Sequence, residues 1–276
     1  MLNAFFVVWR ESLEALLIIG ILYAWLKADG DRRGLRTLFV GVAAGVVLAL
    51  LLGWGILHAQ SELTGNALEV FQIVAMTLAA ILIVQMVFWM RQHGQKLKVN
   101  LETQLASARK AQGQWGVIVV AALAVAREGA ETVIFLYGLA LGGEVSALVF
   151  GAIGGFAVAI LTAWGTAKSL AWLPIGRLLR ISSFLLLVLA SSMLIAASDH
   201  LIGMDWLPTL IDPVWDTSAL LDDNAGFGRL LHDFAGYRAR PALSSLLIWL
   251  AYWVLALLPF VAFGRQKRER QASQTA

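Results

Sequence analysis

Apolar positions along the chain gather into seven runs separated by polar stretches. They are Leu2 to Leu26, Leu35 to Leu57, Leu68 to Met90, Trp115 to Leu141, Val145 to Ala167, Ile181 to Leu201 and Ala242 to Phe263. A helix rises about 1.5 Å per residue, so runs of about twenty cross the ~30 Å hydrocarbon layer of a bilayer. The pattern predicts an all-α polytopic membrane protein with seven transmembrane helices. Trp25, Trp54, Trp89, Trp115 and Trp164 fall near predicted span ends, where indoles favour the interface. Pro241 opens the last helix, where a missing N–H costs nothing. The first run is not read as a cleavable signal, because it lacks a basic leader, is too long for a signal core and carries Arg-Glu at its centre.

The loops between the runs differ in charge. Four basic residues fall in the first loop (Lys27, Arg32, Arg33, Arg36), five in the third (Arg91, Lys96, Lys98, Arg109, Lys110) and three in the fifth (Lys168, Arg177, Arg180). The tail adds Arg265, Lys267, Arg268 and Arg270, which makes sixteen on one side. The opposite side has Arg229, Arg238 and Arg240 alone. Lys and Arg concentrate in cytoplasmic loops, so the N-terminus is expected outside and the C-terminus inside. Composition agrees with a membrane protein: 59% of the 276 residues are hydrophobic and 14% charged, against about a quarter charged in soluble domains. The pI near 9.4 reflects these short basic loops, so no nucleic-acid partner is implied. With no cysteine, disulfides and thiolate metal sites are excluded.

One segment sits outside the spans at length, residues 202–240, with Asp205, Asp212, Asp216, Asp222, Asp223, Asp233 and His232. It reads either as a solvated loop or as a vestibule whose carboxylates collect cations.

The charges inside the spans are more informative. Arg10-Glu11-x-x-Glu14 in the first span is echoed by Arg127-Glu128-x-x-Glu131 in the fourth. Gly41-x-x-x-Gly45 and Gly151-x-x-x-Gly155 follow in the second and fifth spans at similar offsets, as small residues at helix contacts commonly do. Three spans separate the two motifs, so they run in opposite directions across the membrane. The organisation expected is a 3+3 inverted repeat in one integral membrane domain. Residues 1–90 form the first repeat and 115–201 the second, followed by the outer acidic loop 202–240, an additional helix 242–263 and a basic tail 264–276.

On a helix, Arg10, Glu11 and Glu14 lie at about 0°, 100° and 40°, on one narrow face. Arg10 and Glu14 are also in i, i+4 contact. Each charge at the bilayer centre costs at least ~2.5–3.5 kcal/mol. Six facing lipid would cost roughly 15–20 kcal/mol, more than a typical fold's net stability. The six must therefore face one another or a watery cavity. The plain structural alternative is that each arginine staples helices by pairing with its own glutamate, but four carboxylates outnumber two guanidiniums and leave the set short of positive charge. Carboxylate oxygens without thiolates suit hard cations such as Fe³⁺, Mn²⁺, Mg²⁺ or Ca²⁺. The metal-ligand candidates are Glu11, Glu14, Glu128 and Glu131, with Arg10 and Arg127 in support.

Secondary candidates are weaker. Asp199 and His200 end the sixth span, where capping or interface roles come ahead of metal binding. Glu69 and Gln72, one turn apart in the third span, are candidates for the path by which a cation arrives. Gln85 and Thr162 read as interhelical hydrogen bonders.

The doubled R-E-x-x-E in the first and fourth of seven spans, N-terminus outside, resembles the iron permease family. That family includes the fungal high-affinity iron permeases and bacterial relatives of the EfeU type. The resemblance covers the whole chain, and the stretch "WDTSALLDDNAGFGRLLHDFAGYRARP" looks like the bacterial branch. It implies a multi-pass protein of the cytoplasmic membrane that imports iron and is not an enzyme. Glu11, Glu14, Glu128 and Glu131 would bind the ion, while Arg10 and Arg127 set the charge of the empty site. No cofactor is implied, and iron is the transported ligand. The partners implied are membrane lipid and an external ferroxidase, peroxidase-like or iron-binding protein. Two readings from other classes stay open: a proton- or sodium-coupled transporter of another solute, and a non-transporting scaffold.

The charge asymmetry makes a topological prediction. A reporter fused after Ala276 is expected to read cytoplasmic and one inserted near Asp222 external. Both on one side would overturn the seven-span reading.

Overall fold

The computed structural model describes residues 1–93, 97–141, 144–168 and 175–258. The end of the seventh predicted span and the basic tail 264–276 lie outside the described residues. Among the described residues there are nine helices: α1 (Leu2–Ala28), α2 (Arg32–Glu62), α3 (Asn66–His93), α4 (Leu97–Gln112), α5 (Gln114–Ala140), α6 (Val145–Ala167), α7 (Ile175–Gly203), α8 (Gly226–Ala235) and α9 (Leu243–Leu258). Each predicted span has a helix. The two additional ones, α4 and α8, fall where the sequence reads as loops.

Four helices are long and apolar enough to cross a bilayer by composition: α2, α6, residues Asn66–Gln92 of α3 and Leu179–Gly203 of α7. At 27 residues each, α1 and α5 are equally long, but the Arg and two Glu of each break the apolar window. The protein is thus a helical membrane protein in which two long helices carry charges in mid-helix and need shielding by the others.

The chain forms two compact units, Met1–Leu186 and Leu187–Ala276. In the first, α2 packs most extensively along α5, and α1 along α6. The glycine pairs explain both contacts. A Cβ on Gly41 would lie 2.6 Å from the Ile118 carbonyl oxygen and 2.7 Å from Ala121 Cβ. One on Gly45 would lie 2.7 Å from the Ala122 carbonyl oxygen and 3.0 Å from Ala126 N. Across the other pair, Gly151 lies against the Met1 carbonyl and Ala4, and Gly155 against the Phe5 carbonyl and Trp9 N. The register is the same in both. The first glycine meets residues nine and six positions before the motif arginine, and the second meets residues five and one before it.

Both contacts advance in the same direction along their two helices, so α1 runs parallel to α6 and α2 parallel to α5. The tight turn at residues 29–31 reverses the chain between α1 and α2, with Asp31 accepting from Gly34 N at 2.8 Å as the helix cap. The two motif helices, α1 and α5, are therefore antiparallel. Outer faces of α2 (Phe39, Val47, Leu50) and α6 (Phe150, Ile153, Leu161) are exposed and apolar, as a lipid-facing layer requires.

At the end of α1, α4 is fastened to the bundle. Leu101 and Leu105 are buried among Ile18, Leu22, Leu26, Leu38, Val117 and Ala121. Arg109 pairs with Asp29 and reaches Asp31 at 3.0 Å, while Gln114 donates to Asp31 at 3.1 Å. Hydrogen bonds to the Gly34 N–H and to Gln114 hold the Asp31 carboxyl below its usual pKa.

In the second unit, the connection between α7 and α9 is itself folded. Val214 N donates to the Pro241 carbonyl at 3.0 Å, Thr217 N to Ala239 at 3.0 Å and Leu243 N to Ile211 at 2.9 Å. Gly236 ends α8 in the left-handed region (φ 72°), with its backbone against Ser192. Tyr252 donates to the Leu187 carbonyl at 2.7 Å, and Ser198 to Ser245 at 3.1 Å.

Gly45→Leu and Gly155→Leu would each drive a side chain into backbone that cannot yield, a loss of about 1–3 kcal/mol or more. Both are expected to lower membrane abundance and melting temperature in detergent. Gly20→Ala, with open space around it, should change neither. Wild-type stability in both leucine variants would refute the close helix approach.

Candidate metal centre

The motif helices occupy the middle of the first unit. α1 touches α2, α4, α5 and α6, and α5 touches these helices and α3 in addition. Because each motif lies on one narrow face, contact between α1 and α5 brings all six charged side chains into one region. Arg10 and Glu11 are completely buried, and Glu14 and Glu128 nearly so.

The two matching motifs use their arginines differently. Arg10 Nη1 lies 3.1 Å from Glu11 Oε1 and Arg10 Nη2 lies 2.9 Å from Glu14 Oε1; Nη1 also meets Met86 Sδ. Arg127 Nε donates to Glu131 Oε1 at 3.1 Å and stands 3.9 Å from Glu128 Oε1. Its side chain, 45% exposed against 1% for Arg10, lies over the Trp89 ring at 4.5 Å from the centroid.

Carboxylate oxygens of Glu11, Glu128 and Glu131 all lie within 4.8 Å of one another. No other group of three acidic or histidine side chains comes so close among the described residues. Glu11 Oε2 and Glu131 Oε2 are buried without a hydrogen-bond partner. An unpartnered buried carboxylate oxygen is costly, and a cation held by the three acids would remove that cost. Glu14 stands outside this group, on Arg10. It lines a cavity of about 300 Å³ together with Arg127 and Glu128. Of the four predicted ligands, the structure thus gathers three and sets the fourth beside them at the cavity wall.

The remaining candidates do not join this group. Asp199 Oδ2 receives Arg238 Nη2 at 2.6 Å and Nε at 2.8 Å, and Asp199 Oδ1 accepts from Ser245 at 3.3 Å. His200 is half-buried and Glu69 exposed. Gln72 is half-buried beside Phe71, which makes an edge contact with Tyr137. Thr162 accepts from Trp9 Nε1 at 3.3 Å, an interhelical bond as expected; Gln85 is exposed.

In the acidic loop, Asp216 pairs with Arg240 at 2.9 Å. Bonds from Ser218 and Arg240 pull its pKa down to about 2. Asp222 accepts from Asn224 N at 2.9 Å, and Asp223 from the Ala239 N–H at 3.0 Å. These carboxylates hold the loop in shape, which leaves them less free to gather ions than a solvated cluster would be.

Met86, Trp89, Asn100 and Gln104 were not singled out from sequence as site residues. Trp89 reads as an interface residue by position, yet it holds Arg127. The four-residue spacing of Leu97, Leu101 and Leu105 was the available sign that the third loop contains a packed helix.

Comparison with known proteins follows the same lines. The profile of the family described as "Iron permease FTR1 family" matches residues 1–268. A "Ferrous iron permease EfeU" of Escherichia coli O6:K15:H31 (strain 536 / UPEC) is 31% identical over 266 residues, covering 93% of this chain and 94% of that protein. The protein of the same description from Yersinia pestis is 28% identical over 265 residues, with 93% and 92% covered. A relative from Escherichia coli (strain K12), at 31% over 267 residues, is described as a "Putative inactive ferrous iron permease EfeU". No solved structure matches.

The difference between the arginines is testable in the isolated protein. Arg10→Ala would leave Glu11 and Glu14 buried without their counter-charge, a loss of about 3–5 kcal/mol. Arg127→Ala removes a half-exposed partner and should cost no more than about 1 kcal/mol. Arg10→Lys should fall between, because lysine cannot make the two-point contact. Thermal unfolding in detergent gives the order, and equal losses at positions 10 and 127 would refute the asymmetry.

Proposed function

The chain belongs to the iron permease FTR1 family, and from that premise we propose that it imports iron across the cytoplasmic membrane through the centre between α1 and α5. It is a transporter, not an enzyme. Its ligands are Glu11, Glu128 and Glu131, with Glu14 next along the path. The observation that carries this reading is the group of three carboxylates between antiparallel helices, two of whose buried oxygens have no partner.

Charge explains the specificity for a multivalent cation. Four carboxylates and two guanidiniums, all ionised, sum to minus two, so a divalent ion brings the site to neutrality. Neutrality matters here because the surroundings are apolar and field lines are poorly screened. Arg10 pairs with Glu14 and with one oxygen of Glu11, so part of the negative charge is already balanced within the protein. Hard oxygen donors suit iron, and the relatives are described as ferrous iron permeases.

The orientation that fits is N-terminus outside and C-terminus inside, with seven spans: α1, α2, α3, α5, α6, α7 and α9. The repeated register of α2 on α5 and α6 on α1 supports a site shared by two inverted halves. An external partner that delivers iron or adjusts its oxidation state belongs to the same reading.

Glu→Gln at position 11 or 128 keeps size and hydrogen-bonding capacity but removes one charge. A helix staple would tolerate this change, since neutral Gln is easier to bury. A ligand would not: radioactive iron uptake, normalised to protein in the membrane, is expected to fall about tenfold or more. Glu→Asp keeps the charge and withdraws it by a methylene, so residual uptake there would rank charge above reach. Wild-type uptake in both Glu11→Gln and Glu128→Gln would sink the proposal.

A further inference from the structure

The cavity beside the carboxylates has a second end. Its walls include Glu14, Glu128 and Arg127 at the centre, then Ile18, Trp89, Met90, Val120, Leu123 and Ala124, and finally Asn100 and Gln104 of α4. Between the acids and the two amides, no side chain among the walls carries an oxygen. Beyond them lies an open groove of about 540 Å³, lined by Asn100, Thr103, Gln104, Ser107 and Val120. Asn100 and Gln104 line both spaces, so they stand where the cavity meets the open groove.

The helix is built to present these groups. Asn100, Thr103, Gln104 and Ser107 span about 100° of its circumference, while Leu101 and Leu105 point to the buried side. Burial of both leucines, together with Arg109 on Asp29 and Asp31, fixes the rotation of α4. A segment needed only to connect α3 and α5 has no use for such anchoring.

Resting on the reading of the centre as an iron site, we propose that α4 forms the exit of the permeation path, with the Asn100 and Gln104 side-chain carbonyls as the next ligands after the carboxylates. The chemistry favours release. Amide oxygens are acceptable donors to a hard cation but carry no charge, so they hold it more weakly than the acids do. A path must bind well enough to admit the ion and weakly enough to let it go. Arg127, half-exposed on the wall of the same cavity, adds positive charge that disfavours a second cation beside the first.

The test uses the full-length protein and ferrous iron kept reduced. Asn100→Leu with Gln104→Leu is expected to cut uptake about tenfold while equilibrium iron binding to the purified protein stays at the wild-type level. Asn100→Ser with Gln104→Ser, which restores oxygens, should recover a substantial part of that uptake. Ala106→Leu, exposed on the same helix and away from the cavity, should leave uptake unchanged. Since the chain has no cysteine, Gln104→Cys gives a single labelling site. A membrane-impermeant thiol reagent should reach it from the cytoplasmic face alone, and labelling should block uptake.

Uptake near wild type in the double leucine variant would overturn the exit, as would labelling of Gln104→Cys from the outer face. If the double variant does not accumulate in the membrane, the cysteine labelling decides. Loss of iron binding in the double variant would place the amides within the central site and equally refute the exit role. Failure of the central site would show differently, as unchanged uptake in Glu11→Gln and Glu128→Gln.

Discussion

Two guanidiniums and four carboxylates in two long, otherwise apolar helices are tolerable only if every charge finds another, or an ion, within the protein. That constraint orders the structure around it. The helices that carry the charges cannot face lipid, so α1 and α5 take the centre, and α2 and α6, with no charge in their long apolar stretches, form the outer layer. Once α1 and α5 face each other, the narrow polar stripe on each is enough to build a site without further polar residues nearby.

Close packing of the outer layer makes this arrangement exact in register. Without a hydrophobic drive between helices inside a bilayer, association relies on intimate van der Waals contact. Gly41, Gly45, Gly151 and Gly155 allow backbone-to-side-chain approaches at which any Cβ would collide. They also set how far α2 slides on α5 and α6 on α1, and hence the depth of each motif relative to the other. A one-residue slip would rotate a motif by about 100° and disperse the carboxylates.

Within that symmetric frame the two motifs are not equivalent. Arg10 is enclosed and spent on both of its glutamates, whereas Arg127 is half-exposed over Trp89 and leans on Glu131. Carboxylate oxygens of Glu11, Glu128 and Glu131 come together, and Glu14 lines a cavity that also reaches α4.

The sequence by itself determined the membrane class, the helix that falls on each apolar run, and the doubled motif with its charge imbalance. These are local properties: apolar runs of sufficient length have one stable environment, and unbalanced charges within them have few. The glycine pairs were legible as packing residues, though not which helix each would meet. Tertiary structure alone decided that three glutamates converge while Glu14 turns to Arg10, because helical spacing puts all of them on suitable faces and cannot rank them. It alone decided that Trp89 serves Arg127 and that Asp199 belongs to Arg238, since both partners are remote in sequence. The stretch read as a charged loop became α4 for the same reason. Its helical period is short and weakly apolar, and what stabilises it is the groove among Ile18, Leu22 and Val117 that exists only once the bundle has formed.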